Sequence, residues 1–225
     1  MNYLLVVAHP DDEVLGTGAT IFKLKKENCI DICIMCTDVR ARAFRPDDVE
    51  LNADINSCSS LLGINKRYEG HFPNIEMNVI SHLELVKFIE EAILNSKPDV
   101  IITHHPSDVN NDHVQTSLAC QAAFRIFQRR PELKPVQEMW YMEVPSSTDW
   151  ALNTSINRFN PNIFVEVGEE GINMKLKALD EYRGVKRKYP HPRSDEAIKG
   201  LAAFRGAQAG CLYAEAYECV FRRIL

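Results

Sequence analysis

No run of apolar residues in this 225-residue chain approaches the ~18 that a membrane-spanning helix requires. The apolar stretch at the amino terminus, residues 3–8 of MNYLLVVAHPDDE, is short and has no basic residue ahead of it. A signal peptide needs a longer run, a basic flank and a small-residue cleavage site, so the stretch reads as a buried strand. An excess of positive charge is missing too: 26 Lys and Arg stand against 31 Asp and Glu, for a net charge of -5. Nucleic acids and anionic membranes demand a basic surface, so neither is expected as a partner. A disulfide framework is also lacking. Cys29, Cys33, Cys36, Cys58, Cys120, Cys211 and Cys219 are odd in number and scattered, which suits reduced thiols and a cytoplasmic location. Cys33 and Cys36 form a C-x-x-C, but they lie in the strand-like IDICIMCTD, where residues three apart face opposite sides of a sheet. A shared metal is not expected there. Linkers, repeats and low-complexity tracts are absent, so a single domain over residues 1–225 is expected.

What is present is an alternation of compact apolar runs and amphipathic stretches. Strands are expected at residues 3–8, 30–36, 67–72, 100–103, 138–144 and 163–167. Helices are expected at 14–27, 47–62 (closed by Gly63), 79–95, 112–130, 171–183 and 194–204. Strands alternating with helices indicate an α/β fold with a doubly wound, mostly parallel sheet and helices on both faces.

Two polar clusters carry the chemistry: AHPDDE at 8–13 and HHPSDVNNDH at 104–113. Each begins where an apolar strand ends. In a doubly wound sheet the first strand commonly lies beside the strand that opens the second half, and ligands bind in the crevice at that switch point. Residues 100–103 are the candidate for that second strand, so the two clusters are expected to face each other. Catalytic zinc takes three protein ligands, imidazole and carboxylate among them, and leaves one position for water. His9, Asp12 and His113 can converge on one ion, which leaves Asp11 close to the ion's water. Taken alone, the acidic run 11–13 would also suit a helix amino terminus through capping and the macrodipole.

AHPDDE followed by V-L-G-x-G-x-x-I, with a later H-P-x-D-x-x-x-D-H, resembles the PIG-L/LmbE family of zinc-dependent N-acetyl sugar deacetylases. Residues 35–38 (MCTD) and the segment HPRSDEAIKGLAAFRGAQAGCLYAEAY at 191–217 extend the resemblance over most of the chain. It implies a Rossmann-like fold, Zn2+ held by His9, Asp12 and His113, and Asp11 as general base. It also implies a small-molecule amino-sugar substrate, N-acetylglucosamine-like and free or conjugated, whose acetamide is hydrolysed by a zinc-activated water. A homo-oligomer is compatible with the sequence.

Further residues are assigned with an alternative beside each. Asp112 precedes a ligand and either orients a neighbouring group or caps a helix. Asp38, at the end of the second strand, either holds a sugar hydroxyl or shapes a turn. Arg42 and Arg45 in TDVRARAFR would suit a phosphate or carboxylate on the substrate, such as a nucleotide-linked sugar, or form a solvated loop. His191 and Arg193 in YPHPRS are either substrate-binding rim residues or part of a surface turn.

The chain departs from the family pattern twice. Val39-Arg40 stands where glycine and often an acid follow the aspartate, and Asn110 stands where many members carry a second histidine. Asn110 is expected to act on substrate only as a neutral donor, leaving Asp112 without an imidazole partner. His105 is either a substitute for that histidine or a structural residue. Competing functions are a zinc amidase for another acyl group, a non-catalytic metal- or sugar-binding module, and a dinucleotide site. The last rests on Gly16, Gly18 and Asp38, but the third glycine of the pattern is replaced by Ile21 and three acids would repel a pyrophosphate.

Overall fold

The computed structural model describes residues 1–38, 47–152 and 157–224. Arg42 and Arg45 therefore lie outside the described residues. The chain forms β1 (Asn2–Val7), α1 (Asp12–Leu24), β2 (Cys29–Ile34), α2 (Asp48–Leu62), β3 (Lys66–Glu69), α3 (His82–Ser96), β4 (Val100–His104), α4 (Asn111–Phe124), β5 (Glu138–Met142), β6 (Ile163–Glu166), α5 (Gly168–Asp180), α6 (Asp195–Ala209) and β7 (Ala214–Arg222). One seven-stranded sheet runs in the order β3-β2-β1-β4-β5-β7-β6. β1 pairs in parallel with both β2 and β4, as expected for a switch point. β7 runs antiparallel to both its neighbours, β5 and β6.

Each central strand is apolar on both sides because helices cover both faces. From β1, Leu5 and Val7 join the layer built by α1, α2, α5 and α6. Leu4 and Val6 join the layer built by α3 and α4. Local signals set the helix ends. Asp47 and Glu50 form a reciprocal capping box at the start of α2, and Gly63 ends it at φ 70°. Ser194 caps α6 by accepting from the Ala197 N–H.

Three expectations are corrected. β7 was not anticipated: its first four residues, Ala214–Tyr217, are all buried, including Glu215, so no alternation marks the strand. The helix expected to run to residue 130 ends at Phe124 and continues as a 3-10 turn, Arg125–Gln128. Cys33 and Cys36 do not face opposite sides. β2 ends at Ile34, the two-residue alternation stops there, and both thiols enter the α3/α4 layer. None of the seven cysteines forms a disulfide. The glycines of the dinucleotide reading serve packing instead. A Cβ on Gly16 would lie 2.4 Å from Met142 Sδ, so glycine lets α1 sit close against β5.

Candidate metal centre and its carboxylates

The carboxyl ends of β1 and β4 are tied together by the Ala8 N–H, which donates to His104 Nε2 at 2.8 Å. Burial, and then the adjacent His113, push His104 down to about 3, so it stays neutral and accepts this bond. Its ring stacks on His113 with centroids 3.9 Å apart. β4 and the start of α4 thus bring His113 over the end of β1, where His9 and Asp12 lie.

His9 Nδ1 and His113 Nε2 each stand 3.2 Å from Asp12 Oδ2. All three side chains are buried, and their donor atoms lie within 4.8 Å of one another. The other nitrogen of each ring is held by a different carboxylate. His9 Nε2 meets Asp112 Oδ2 at 2.9 Å, and His113 Nδ1 meets Asp108 Oδ2 at 3.1 Å. Asp112 is itself fixed by the N–H groups of Ile75 (2.6 Å) and Met77 (3.1 Å). Asp108 accepts from Ser147 Oγ (2.5 Å) and Thr148 Oγ1 (2.9 Å). Carboxylates in this position orient imidazole ligands and raise their basicity.

Orphaned atoms show whether this donor set fits a cation. Asp12 Oδ1 and His113 Nε2 have no hydrogen-bond partner among the described residues. The short His113–Asp12 distance is therefore a side-by-side approach, with both groups turned to a common point. Burial opposes charge on His113, yet Asp12 and Asp108 outweigh it and raise the ring to about 10. Burial likewise opposes charge on Asp12, but His113 and His9 hold it well below the usual carboxylate range. Without metal, a proton supplies the positive charge that two carboxylates require here. A second group, His104, Asp108 and His113, is equally close. It is the weaker fit: Asp108 is saturated by hydroxyls, and neutral His104 accepts the Ala8 N–H on Nε2, so its unpartnered Nδ1 carries the proton and has no lone pair for an ion.

Asp11 precedes α1 with φ 99°, a conformation costly for a residue with a Cβ. Its N–H donates to Glu13 Oε2 (3.0 Å), and Glu13 Oε1 accepts from Tyr182 OH (2.6 Å). Burial pushes the Glu13 carboxyl up to about 7 against the hydrogen bond from Tyr182. The buried Asp11 carboxylate meets Arg193 Nη1 at 3.5 Å.

A model for the PIG-L family, described as GlcNAc-PI de-N-acetylase, matches residues 4–124, which include both motifs. The chain belongs to the PIG-L family. Proteins similar to it are matched over most of their length. It is 24% identical over 188 residues to the uncharacterized deacetylase YaiS of Escherichia coli (strain K12), covering 80% of this chain and 89% of that protein. It superposes on N,N'-diacetylchitobiose deacetylase from Pyrococcus horikoshii with a TM-score of 0.76 at 19% identity, over 97% of this chain and 83% of that one. It superposes equally well, at 0.76 and 17% identity, on GalB, the 4-carboxy-2-hydroxymuconate hydratase of Pseudomonas putida KT2440, over 100% and 98% of the two chains. At these identities the two superpositions establish the fold alone.

The remaining candidates divide. Asn110, His191 and Arg193 line one cavity of 690 Å³. Asp38 lines another, of 470 Å³, with Asp48 and Glu69. Asn110 caps α4, its Oδ1 accepting from the Asp112 N–H at 2.9 Å. Asp112 is thus not the cap, and it does have an imidazole partner, His9, contrary to expectation. His105 packs edge-on to Tyr141 and Phe159 and stands 3.4 Å from Glu218, the structural alternative.

Sequence reasoning missed Asp108, Glu13, His104 and Tyr182. Asp108, Glu13 and His104 had a signal, since they lie within H-P-x-D, AHPDDE and HHPSDVNNDH, although no role was read for them; Tyr182 had none. Tyr182 reaches Glu13 only through packing between segments 169 positions apart.

Proposed function

We propose that this protein is a zinc-dependent hydrolase that removes the N-acetyl group from an amino sugar or its conjugate, in the cytoplasm. The observation that carries the reading is the pair of imidazoles His9 and His113. Each is held on one nitrogen by a buried carboxylate and turned with the other toward Asp12. Imidazole and carboxylate donors suit zinc. When bound, zinc supplies Lewis-acid polarisation of the amide carbonyl and acidifies a water.

The chain's residues do the rest. Asp11 takes the proton of the attacking water and hands it to the departing amine nitrogen as the C–N bond breaks. Glu13 fixes the Asp11 backbone, and Arg193 holds its carboxylate in place. Asp112 and Asp108 orient the two histidines and leave each with a lone pair on the ligand side. Asn110 has its carbonyl oxygen committed to the helix cap, so only its NH2 is left to donate to substrate. Asp38 opens on a different hollow from Arg193, so we assign it no contact with the acetamide.

The test is acetate release over a panel of N-acetylamino sugars and conjugates, UDP-linked sugars included, with metal content measured on the same preparation. Release from none of them, with a full metal complement, would defeat the reading. Release of another acyl group would narrow it to a different zinc amidase. One observation favours a second reading: a protein of the same fold is described as a hydratase. The same donor set could activate water for addition to a carbon–carbon double bond, and acetate release from any amide separates the two.

A further inference from the structure

The cavity beside the metal centre carries a charge opposite to that of the protein. The chain has a net charge of -5. Yet Arg187, His191 and Arg193 line this 690 Å³ hollow, and no Asp or Glu among the described residues does. Two guanidiniums and an imidazole are gathered by the loop between α5 and α6. The Arg187 N–H donates to Arg193 O (3.3 Å), and the Arg193 N–H donates to His191 Nδ1 (3.0 Å).

Arg193 is spent inward, on Asp11 and on Ser146 Oγ (2.7 Å). Arg187 is exposed, and among the described residues its guanidinium donates only to the backbone carbonyls of Gly184 and Lys186. Those contacts bend the side chain back over its own loop without neutralising it. Burial, then Arg193 and Arg187, push His191 below the usual imidazole range against Asp149, which lines the neighbouring apolar hollow and not this one, so His191 offers a neutral N–H. Opposite the loop stands Trp150, 54% exposed. An indole left this open on a cavity wall offers a flat apolar face, which suits the C–H face of a sugar ring or a planar base.

We propose that this cavity binds the part of the substrate beyond the acetamide, and that this part carries a phosphate or carboxylate held by Arg187 and His191 beside Trp150. The inference rests on the deacetylase reading, since it names what is attached to the amide. A guanidinium recognises either anion through charge-assisted, bidentate hydrogen bonds, which an ammonium or a neutral donor reproduces only in part.

The probes are glucosamine, glucosamine 1-phosphate and muramic acid, which lack the acetyl group and so are not turned over. Binding is measured by calorimetry on the full chain as purified. At least one anionic probe should bind about tenfold more tightly than glucosamine. Arg187→Ala should reduce that ratio to about twofold or less, and Arg187→Lys should keep part of it. Arg222→Ala, which removes a guanidinium paired with Glu138 on the far strand, should keep all of it. The bound sugar should also quench tryptophan fluorescence, and Trp150→Phe should abolish the quench.

Preference for phosphate alone or for carboxylate alone identifies the group. Equal binding of all three probes, or a preference that survives Arg187→Ala, overturns the proposal, as does binding of an anionic probe without any quench. An anion preference that persists while no amide releases acetate would defeat the deacetylase reading and leave this site standing. Acetate release without an anion preference would do the reverse.

Discussion

Two buried clusters of charge flank α1, and they are built to opposite ends. On one side Lys175 and Glu215 form an ion pair of 2.6 Å in which every side-chain polar atom has a partner. Lys175 Nζ also donates to Leu15 O, and the two Glu215 oxygens accept from Ala19 N, Thr20 N and Tyr217 OH. On the other side the cluster of His9, Asp12 and His113 leaves Asp12 Oδ1 and His113 Nε2 without hydrogen bonds among the described residues. Burying a polar atom unsatisfied costs about 1–3 kcal/mol. The open atoms of the second cluster are the ones that our proposal assigns to an ion, and the first cluster has none to offer. Saturation separates a structural charge cluster from a binding one more sharply than burial does, since both are equally buried.

Substitutions can break that comparison, and the largest effect belongs to the open cluster. His113→Ala should abolish both metal binding and activity, because it removes a ligand and leaves two buried carboxylates facing each other. Full metal occupancy in that variant, read by elemental analysis, would refute the ligand assignment.

Glu215→Ala should act on the other cluster and on folding alone. It strands the Lys175 ammonium and should cost about 3–5 kcal/mol in denaturant titration. Metal stoichiometry in the folded fraction should be unchanged. A variant that lost metal in proportion to stability would mean that the two clusters are coupled.

Asp11→Asn should separate chemistry from binding within the open cluster. The amide keeps the shape but cannot take the proton, so turnover should fall about 100-fold or more with metal retained. Loss of metal instead would exchange the roles of Asp11 and Asp12.

Asp108→Asn should be milder, weakening metal affinity about 10–100-fold through the orientation of His113. In the wild type, affinity should increase as pH rises from 6 to 8. The His113 ring is raised to about 10 without metal, so a proton must leave before an ion enters, and protons compete less well at higher pH. A pH-independent affinity would show that the proton lies elsewhere.

The smallest effect is expected at Asn110. Replacement by alanine should cost a few-fold to about tenfold in kcat, less than a full oxyanion donor supplies. Part of that cost comes from the cap it provides to α4, about 1 kcal/mol, and should appear in thermal unfolding. A loss as large as that from Asp11→Asn would make Asn110 a principal stabiliser of the transition state.

What the sequence determined by itself was local or periodic. Apolar runs marked six of the seven strands, and capping residues such as Asp47 and Ser194 with closing glycines such as Gly63 marked helix ends. The strand-end positions of His9 and of the 104–113 cluster, with the topology rule for doubly wound sheets, were enough to bring the candidate ligands to one crevice. β7 escaped because its buried start, Ala214–Tyr217, is neither an apolar run nor an alternation, and because Glu215 looks like a surface residue until Lys175 is seen beside it. The partners of the site, Asp108 beneath His113, Glu13 and Tyr182 behind Asp11, and Arg193 against its carboxylate, were decided only by tertiary structure. Sequence pattern records how a residue meets the core on average. Which carboxylate turns toward which imidazole depends on contacts across up to 182 positions of chain, as from Asp11 to Arg193, and no local period carries that information.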